Sequence, residues 1–192
     1  MIRRGGMPMS QLVRKAQRGD KEAFITLMEG QKQTMYKVAV GILKNDADAA
    51  DAMQDTVLSC YENLQSLREP KYFQTWMTRI LINHCNRILA ERKKVVPMEE
   101  YFASGKRQGV QDAAGKTDTI NEDFLRMLEQ LEERYRVVLL LYYVEEFSIR
   151  EISSILKTNE NTIKTRLARG RGIFKKVYMK EYGEMDCRAS EI

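Results

Sequence analysis

Histidine occurs once in these 192 residues, at His84, proline three times, and cysteine three times, at Cys60, Cys85 and Cys187. A lone histidine and an odd, widely spaced set of thiols make neither a zinc site nor a disulfide framework, so a reducing cytoplasm is the expected compartment. The longest apolar run covers only residues 137–144. A membrane span needs roughly 20 apolar residues, so no membrane insertion is expected. Residues 1–6 also lack the apolar stretch of a signal peptide. Segments that alternate with period two are missing, while apolar residues recur at spacings of three and four over long stretches. The fold class expected is therefore all-α, as two small helical domains joined by a flexible linker.

The net charge of +5 is the remainder of large opposing blocks. Residues 1–43 carry +5, residues 44–66 carry −4, residues 68–94 carry +5, residues 121–146 carry −4 and residues 148–180 carry +7. Two basic blocks divided by acidic ones suit two surfaces facing a polyanion, with acidic faces left for basic protein partners.

Short polar joints at Arg18-Gly19-Asp20, Lys44-Asn45-Asp46 and Arg68-Glu69-Pro70 divide a first helical module over residues 11–94, behind a leader at 1–10 expected to be disordered. Residues 95–121 lack a sustained apolar period, hold Pro97, Gly105, Gly109 and Gly115, and read as a linker. Periodicity returns over 122–180 in Phe124, Leu125, Leu128 and Leu131, and an acidic tail occupies 181–192.

Within the second module, Ser148 stands three residues before Glu151, the spacing of a capping box, ahead of an apolar stripe at Ile149, Ile152, Ile155 and Leu156. That helix should end near Lys157, with Thr158 and Asn159 making a turn. A second helix starts near Glu160 or Asn161, with Ile163, Leu167, Gly170 and Phe174 facing inward. The two make a helix-turn-helix. At about 100° per residue, Asn161, Thr165, Ala168, Arg169 and Gly172 form the outward arc, flanked by Lys164, Arg166 and Arg171. Small residues let such a helix sit close to a major groove. Polar ones reach base edges there, the flanking cations suit phosphates, and Thr162 is among the residues expected to meet the duplex.

In the first module, Phe73, Trp76, Met77, Ile80, Leu81, His84 and Ile88 share one face of a long helix, which predicts core packing for Phe73, Trp76 and His84. Thr75, Arg79, Asn83 and Asn86 form a polar stripe leading to Arg92-Lys93-Lys94. Tyr72 and the preceding loop, with Ser66, Arg68 and Lys71, are better placed for exposed contact with an unpaired base. Upstream, Asp48, Asp51 and Asp55, at spacings of three and four, predict one acidic helix face for a basic protein surface.

The string DAADAMQDTVLSCYENLQSLREPKYFQTWMTRILINHCNRILAERKK resembles the second conserved region of the extracytoplasmic-function class of RNA polymerase sigma factors. LEQLEERYRVVLLLYYVEEFSIREISSILKTNENTIKTRLARGRGIFKKV resembles their fourth. The resemblance implies a factor that directs promoter-specific transcription initiation in a stress or envelope response, without enzymatic activity or cofactor. It implies core RNA polymerase, promoter DNA and a cognate anti-sigma factor as partners. By similarity, Asp48, Asp51, Gln54 and Asp55 dock on the polymerase clamp helices. The Ser66–Tyr72 loop and the stripe with Asn83 melt the minus-ten element, and the helix from Asn161 to Lys175 reads the minus-thirty-five element. Three positions depart from the family's habit: Arg87 stands where Asp or Asn is frequent, Ala90 where Arg is frequent, and Lys157 where the turn often has Gly.

Two other classes remain to be weighed. A dimeric regulator using the helix-turn-helix alone leaves the first module without a task. An enzyme holding Mg²⁺ on Asp48, Asp51 and Asp55 would need a phosphate loop or a second carboxylate cluster, and the sequence offers neither.

Overall fold

The computed structural model describes residues 7–95, 124 and 126–188, with only the backbone for 93–95 and 183–188. The leader up to residue 6, the linker at 96–121 and the last four residues therefore lie outside the described residues. Every regular element among the described residues is helical, and the chain divides into two compact units, Met1–Phe102 and Ala103–Ile192.

The first unit contains α1 (Met9–Gln17), α2 (Lys21–Glu29), α3 (Lys32–Leu43), α4 (Asp46–Asn63) and α5 (Phe73–Val95). Short 3-10 turns at Leu64–Ser66 and Pro70–Tyr72 link α4 to α5. Helix α1 starts at Met9, two residues before the module expected from residue 11, because the Pro8 carbonyl accepts from Gln11 and Leu12. The first two polar joints supply the side-chain cap that the following helix needs. Gly19 takes φ of +92°, a conformation costly for any residue with a Cβ, and Asp20 then accepts from the Ala23 N–H at 3.0 Å. Asn45 caps α4 through the Asp48 N–H at 2.9 Å. The break between α2 and α3, at Gly30 and Gln31, carries no such signal, since Gly30 is right-handed and the apolar pattern runs through it.

Helix α5 packs against both α3 and α4. Its buried residues are Phe73, Met77, Thr78, Leu81, Ile82 and Cys85, whereas Trp76, Ile80, His84 and Ile88 are only partly buried. The buried face is thus turned from the expected stripe. Two neighbouring helices cover a broader arc than the single one a stripe presupposes, and the arc includes Ile82 and Cys85.

The second unit contains a helical turn at 126–129, α6 (Glu133–Tyr143), α7 (Ile149–Leu156) and α8 (Glu160–Arg188). Tyr135 to Leu141 are all buried, so α6 is the central helix, with α7 and α8 packed on it. Arg136 belongs to that buried run at 4% exposure, and its guanidinium donates to the Leu131 carbonyl at 3.0 Å. It satisfies backbone oxygens at the end of the preceding helical turn, where a buried cation would otherwise be costly. Helix α8 continues to Arg188, so the segment from 181, expected as a tail, begins inside a helix.

Candidate nucleic-acid interface

The helix-turn-helix is built from local bonds. Ser148 Oγ accepts from the Glu151 N–H, and the Glu151 carboxylate accepts from the Ser148 N–H at 2.9 Å, a complete capping box. Lys157 ends α7 in the left-handed region at φ of 49°, the conformation for which Gly is the frequent choice. Ser153 Oγ then donates to the Thr158 carbonyl at 2.6 Å, and Asn159 Oδ1 accepts the Asn161 N–H at 2.8 Å to open α8.

On α8, Ile163, Leu167 and Gly170 are buried and Phe174 is half-buried, its ring 5.0 Å from that of Phe124. A Cβ at Gly170 would lie 3.2 Å from Leu139 Cδ1, so glycine lets α8 cross α6 at close range. On the opposite side, Asn161, Thr162, Lys164, Thr165, Ala168, Arg169, Arg171 and Gly172 are exposed, with Arg166 partly so. Gly172 has open space where a Cβ would be. Among the described residues, none of Lys164, Arg166, Arg169 and Arg171 is engaged in an ion pair. The outward arc is therefore a capped helix with unneutralised cations and short polar side chains, which suits a major groove.

The first unit handles its cations differently. Arg87 donates to the Asp55 carboxylate at 2.5 Å, and Arg92 pairs with Asp48. Two of the three aspartates expected on one acidic face are thus turned onto arginines of α5, leaving Asp51 and Gln54 exposed. Periodicity placed the three on one face, but only packing brings α5 against it. Gln54 also lines an apolar groove of about 480 Å³ with Phe24, Ile25, Met28, Met35 and Met53. His84 lies beside the Asp55 pair, 3.8 Å from the carboxylate through Nδ1 and 3.0 Å from Ser59 Oγ through Nε2. Burial first, and then the Arg87 charge, hold the imidazole below its ordinary value, partly offset by Asp55. Burial also raises the Cys60 thiol to about 12, so it stays protonated.

Of the residues expected to meet single-stranded DNA, Ser66, Arg68, Lys71, Tyr72, Asn83 and Asn86 are exposed, while Thr75 and Arg79 are partly buried. The Ser66 hydroxyl donates to the Asn63 carbonyl at 2.7 Å, which shapes the turn. Tyr72 is 49% exposed, with the Lys71 ammonium 4.9 Å from its ring centroid. Partly buried Trp76 lies in the first turn of α5, 6.0 Å from Phe73 between ring centroids. Sequence reasoning assigned Trp76 to the core. The aromatic is the one signal that could have marked it, and that signal does not distinguish a packed ring from a stacking platform.

Comparison with known proteins bears on both units. Residues 27–95 match the family model described as Sigma-70 region 2, and residues 121–172 match Sigma-70, region 4. The chain is 28% identical over 153 residues to RNA polymerase sigma factor SigV of Bacillus subtilis (strain 168), covering 78% of this chain and 87% of that protein. It is 26% identical over 180 residues to the ECF RNA polymerase sigma factor SigW of the same strain, covering 88% and 96%. Among solved structures, the sigma factor RpoE in complex with the anti-sigma factor NepR from Bartonella quintana shares the fold. Its TM-score is 0.66 at 19% identity, over 82% of this chain and 94% of that one.

Proposed function

Because this chain belongs to the sigma-70 family, in its extracytoplasmic-function class, we propose that its two units divide promoter recognition between them. As a sigma factor it binds core RNA polymerase and directs promoter-specific transcription initiation, and a stand-alone helix-turn-helix regulator is not favoured. It acts by binding, with the polymerase supplying the chemistry, in the cytoplasm where the polymerase works.

The second unit reads the minus-thirty-five duplex through Asn161, Thr165 and Arg169, while Thr162, Lys164, Arg166 and Arg171 meet phosphates and Ala168 allows close approach. The observation that carries this reading is the exposed arc of α8, whose cations make no ion pair among the described residues. The first unit captures the minus-ten strand through the loop from Ser66 to Tyr72 and the stripe of Thr75, Arg79, Asn83 and Asn86. Polymerase docks on Asp51 and Gln54 beside the apolar groove, with Asp48 and Asp55 contributing behind their arginine pairs. An anti-sigma factor like that in the RpoE complex would act by covering these surfaces, in a stress or envelope response.

Footprinting of the reconstituted holoenzyme tests the division. Arg169→Ala should erase protection of the upstream duplex while the holoenzyme still binds a template pre-melted at the minus-ten element, and Tyr72→Ala should keep the upstream protection but bind that template poorly. Loss of both regions by either variant would refute separate tasks.

A further inference from the structure

Gln17, the last residue of α1, is tied to a loop some fifty residues away. Its side-chain amide nitrogen donates to the Leu64 carbonyl at 3.0 Å and to the Leu67 carbonyl at 2.8 Å. The Gln65 side chain returns the contact by donating to the Gln17 carbonyl, one of the oxygens that a helix end leaves without an intrahelical partner. Leu64 and Leu67 bracket the 3-10 turn and are themselves anchored in the core, at 4% and 7% exposure. Bonds within the segment are short-range: Leu67 N–H to Leu64 O at 3.2 Å, and Tyr72 N–H to Glu69 O at 3.0 Å. Gln17 adds a tie from another helix, placed where the chain leaves the turn and runs out to Arg68.

We propose that Gln17 is a positioning residue for capture of the unpaired minus-ten base. Its amide holds the two carbonyls at the root of the capture loop, and so holds Arg68, Lys71 and Tyr72 in register with the strand they meet. The proposal rests on the base-capture reading of the Ser66–Tyr72 loop. Two donors on one nitrogen are the essential chemistry, because both partners are carbonyl oxygens and only a donor satisfies them. A carboxylate of the same shape would set its lone pairs against theirs.

The test uses full-length protein with core polymerase and follows open-complex formation. One template is an intact promoter, and a series carries a single abasic site at each non-template position of the minus-ten element. The wild type should lose about tenfold at one abasic position, since base stacking of roughly 1–3 kcal/mol is removed there. Gln17→Glu, and Gln17→Met in case the added charge prevents folding, should open the intact promoter about 3- to 10-fold more slowly, bounded by the loss that removal of the base itself gives. On the abasic template both should match the wild type, because no base remains to be positioned. Their affinity for core polymerase should stay within about twofold of the wild type, because Gln17 touches the loop root and not the docking surface. Equal losses on intact and abasic templates would show a merely structural role and overturn the proposal, as would opening of the intact promoter at the wild-type rate. If the wild type shows no sensitive abasic position, the base-capture reading itself fails and the proposal falls with it, by a result that no Gln17 variant could produce.

Discussion

Helices α5 and α8 are both long, basic and amphipathic, yet they use their arginines in opposite ways. On α5, Arg87 and Arg92 fold back onto Asp55 and Asp48 of α4, whereas on α8 the cations at 164, 166, 169 and 171 face outward without ion pairs among the described residues. The α8 cations keep their full charge for a phosphate backbone, where attraction falls with added salt. Arg87 and Arg92 of α5 are already partly neutralised, so that helix depends more on side-chain shape, aromatic faces and hydrogen bonding. A basic helix in a DNA-binding chain is therefore not by itself a DNA-facing helix, because its neighbours decide where its charge goes.

Removing an outward cation should give the largest effect. Arg169→Ala should lose about 1–3 kcal/mol of binding to the preferred upstream element and relax selectivity at one base. Arg171→Ala should instead weaken all duplexes alike and reduce the salt slope by about one. A titration on specific and scrambled duplexes checks both, and equal losses for Arg169→Ala on the two would remove it from base reading.

On the acidic side of the comparison, Asp51→Arg should cost about tenfold in affinity for core polymerase, or roughly 1.4 kcal/mol, with helicity intact. Competition against the wild type for core polymerase measures this, and undiminished competition would place the docking face elsewhere.

The two glycines of α8 separate packing from groove contact. Gly170→Ala puts a methyl 3.2 Å from Leu139, so the melting temperature should fall by the equivalent of about 1 kcal/mol or more. Gly172→Ala meets open space and should stabilise the helix by up to about 1 kcal/mol while weakening duplex binding. Thermal melts paired with binding titrations should show these opposite signs. A Gly172→Ala variant that binds duplex DNA normally would mean that this face stands off the groove.

The smallest effect sharpens the contrast at its weak point. Arg87→Ala should change core-polymerase affinity by less than about 1 kcal/mol, in the direction of tighter binding as Asp55 is released, because a half-exposed pair contributes little. The same variant removes one of the charges that lower His84. A depressed folded-state value means that the His84 contribution to stability is present above about 6.5 and is lost as pH falls through that lowered value. Melts at stepped pH below 6.5 should therefore show a shallower acid loss in Arg87→Ala. An unchanged profile would separate His84 from the Arg87–Asp55 pair.

Most of the second unit was legible in the sequence. Ser148 with Glu151 marks a helix start by side-chain chemistry alone, and Ile163, Leu167 and Gly170 mark an inward face by spacing alone, so the outward arc follows. The first unit was legible in its helices and joints but less so in its faces. Asp48, Asp51 and Asp55 share a helix face as expected, yet the face is divided by partners contributed from α5. Trp76 and Ile80 lie at the edge of the buried arc, because α3 and α4 cover the side of α5 centred on Met77, Leu81 and Cys85.

What the sequence by itself determined about this protein is everything that is decided within a few residues: the all-α class, the caps, the turn at Lys157–Asn159 and the arc of α8. These depend on helical period and on side chains bonding to backbone three or four residues away. Only the tertiary structure decided which distant side chains meet. It brought Arg87 to Asp55 across 32 residues and Gln17 to Leu64 and Leu67 across 47 and 50. Such contacts depend on the angle and order in which helices pack, and no local pattern of residues carries that information.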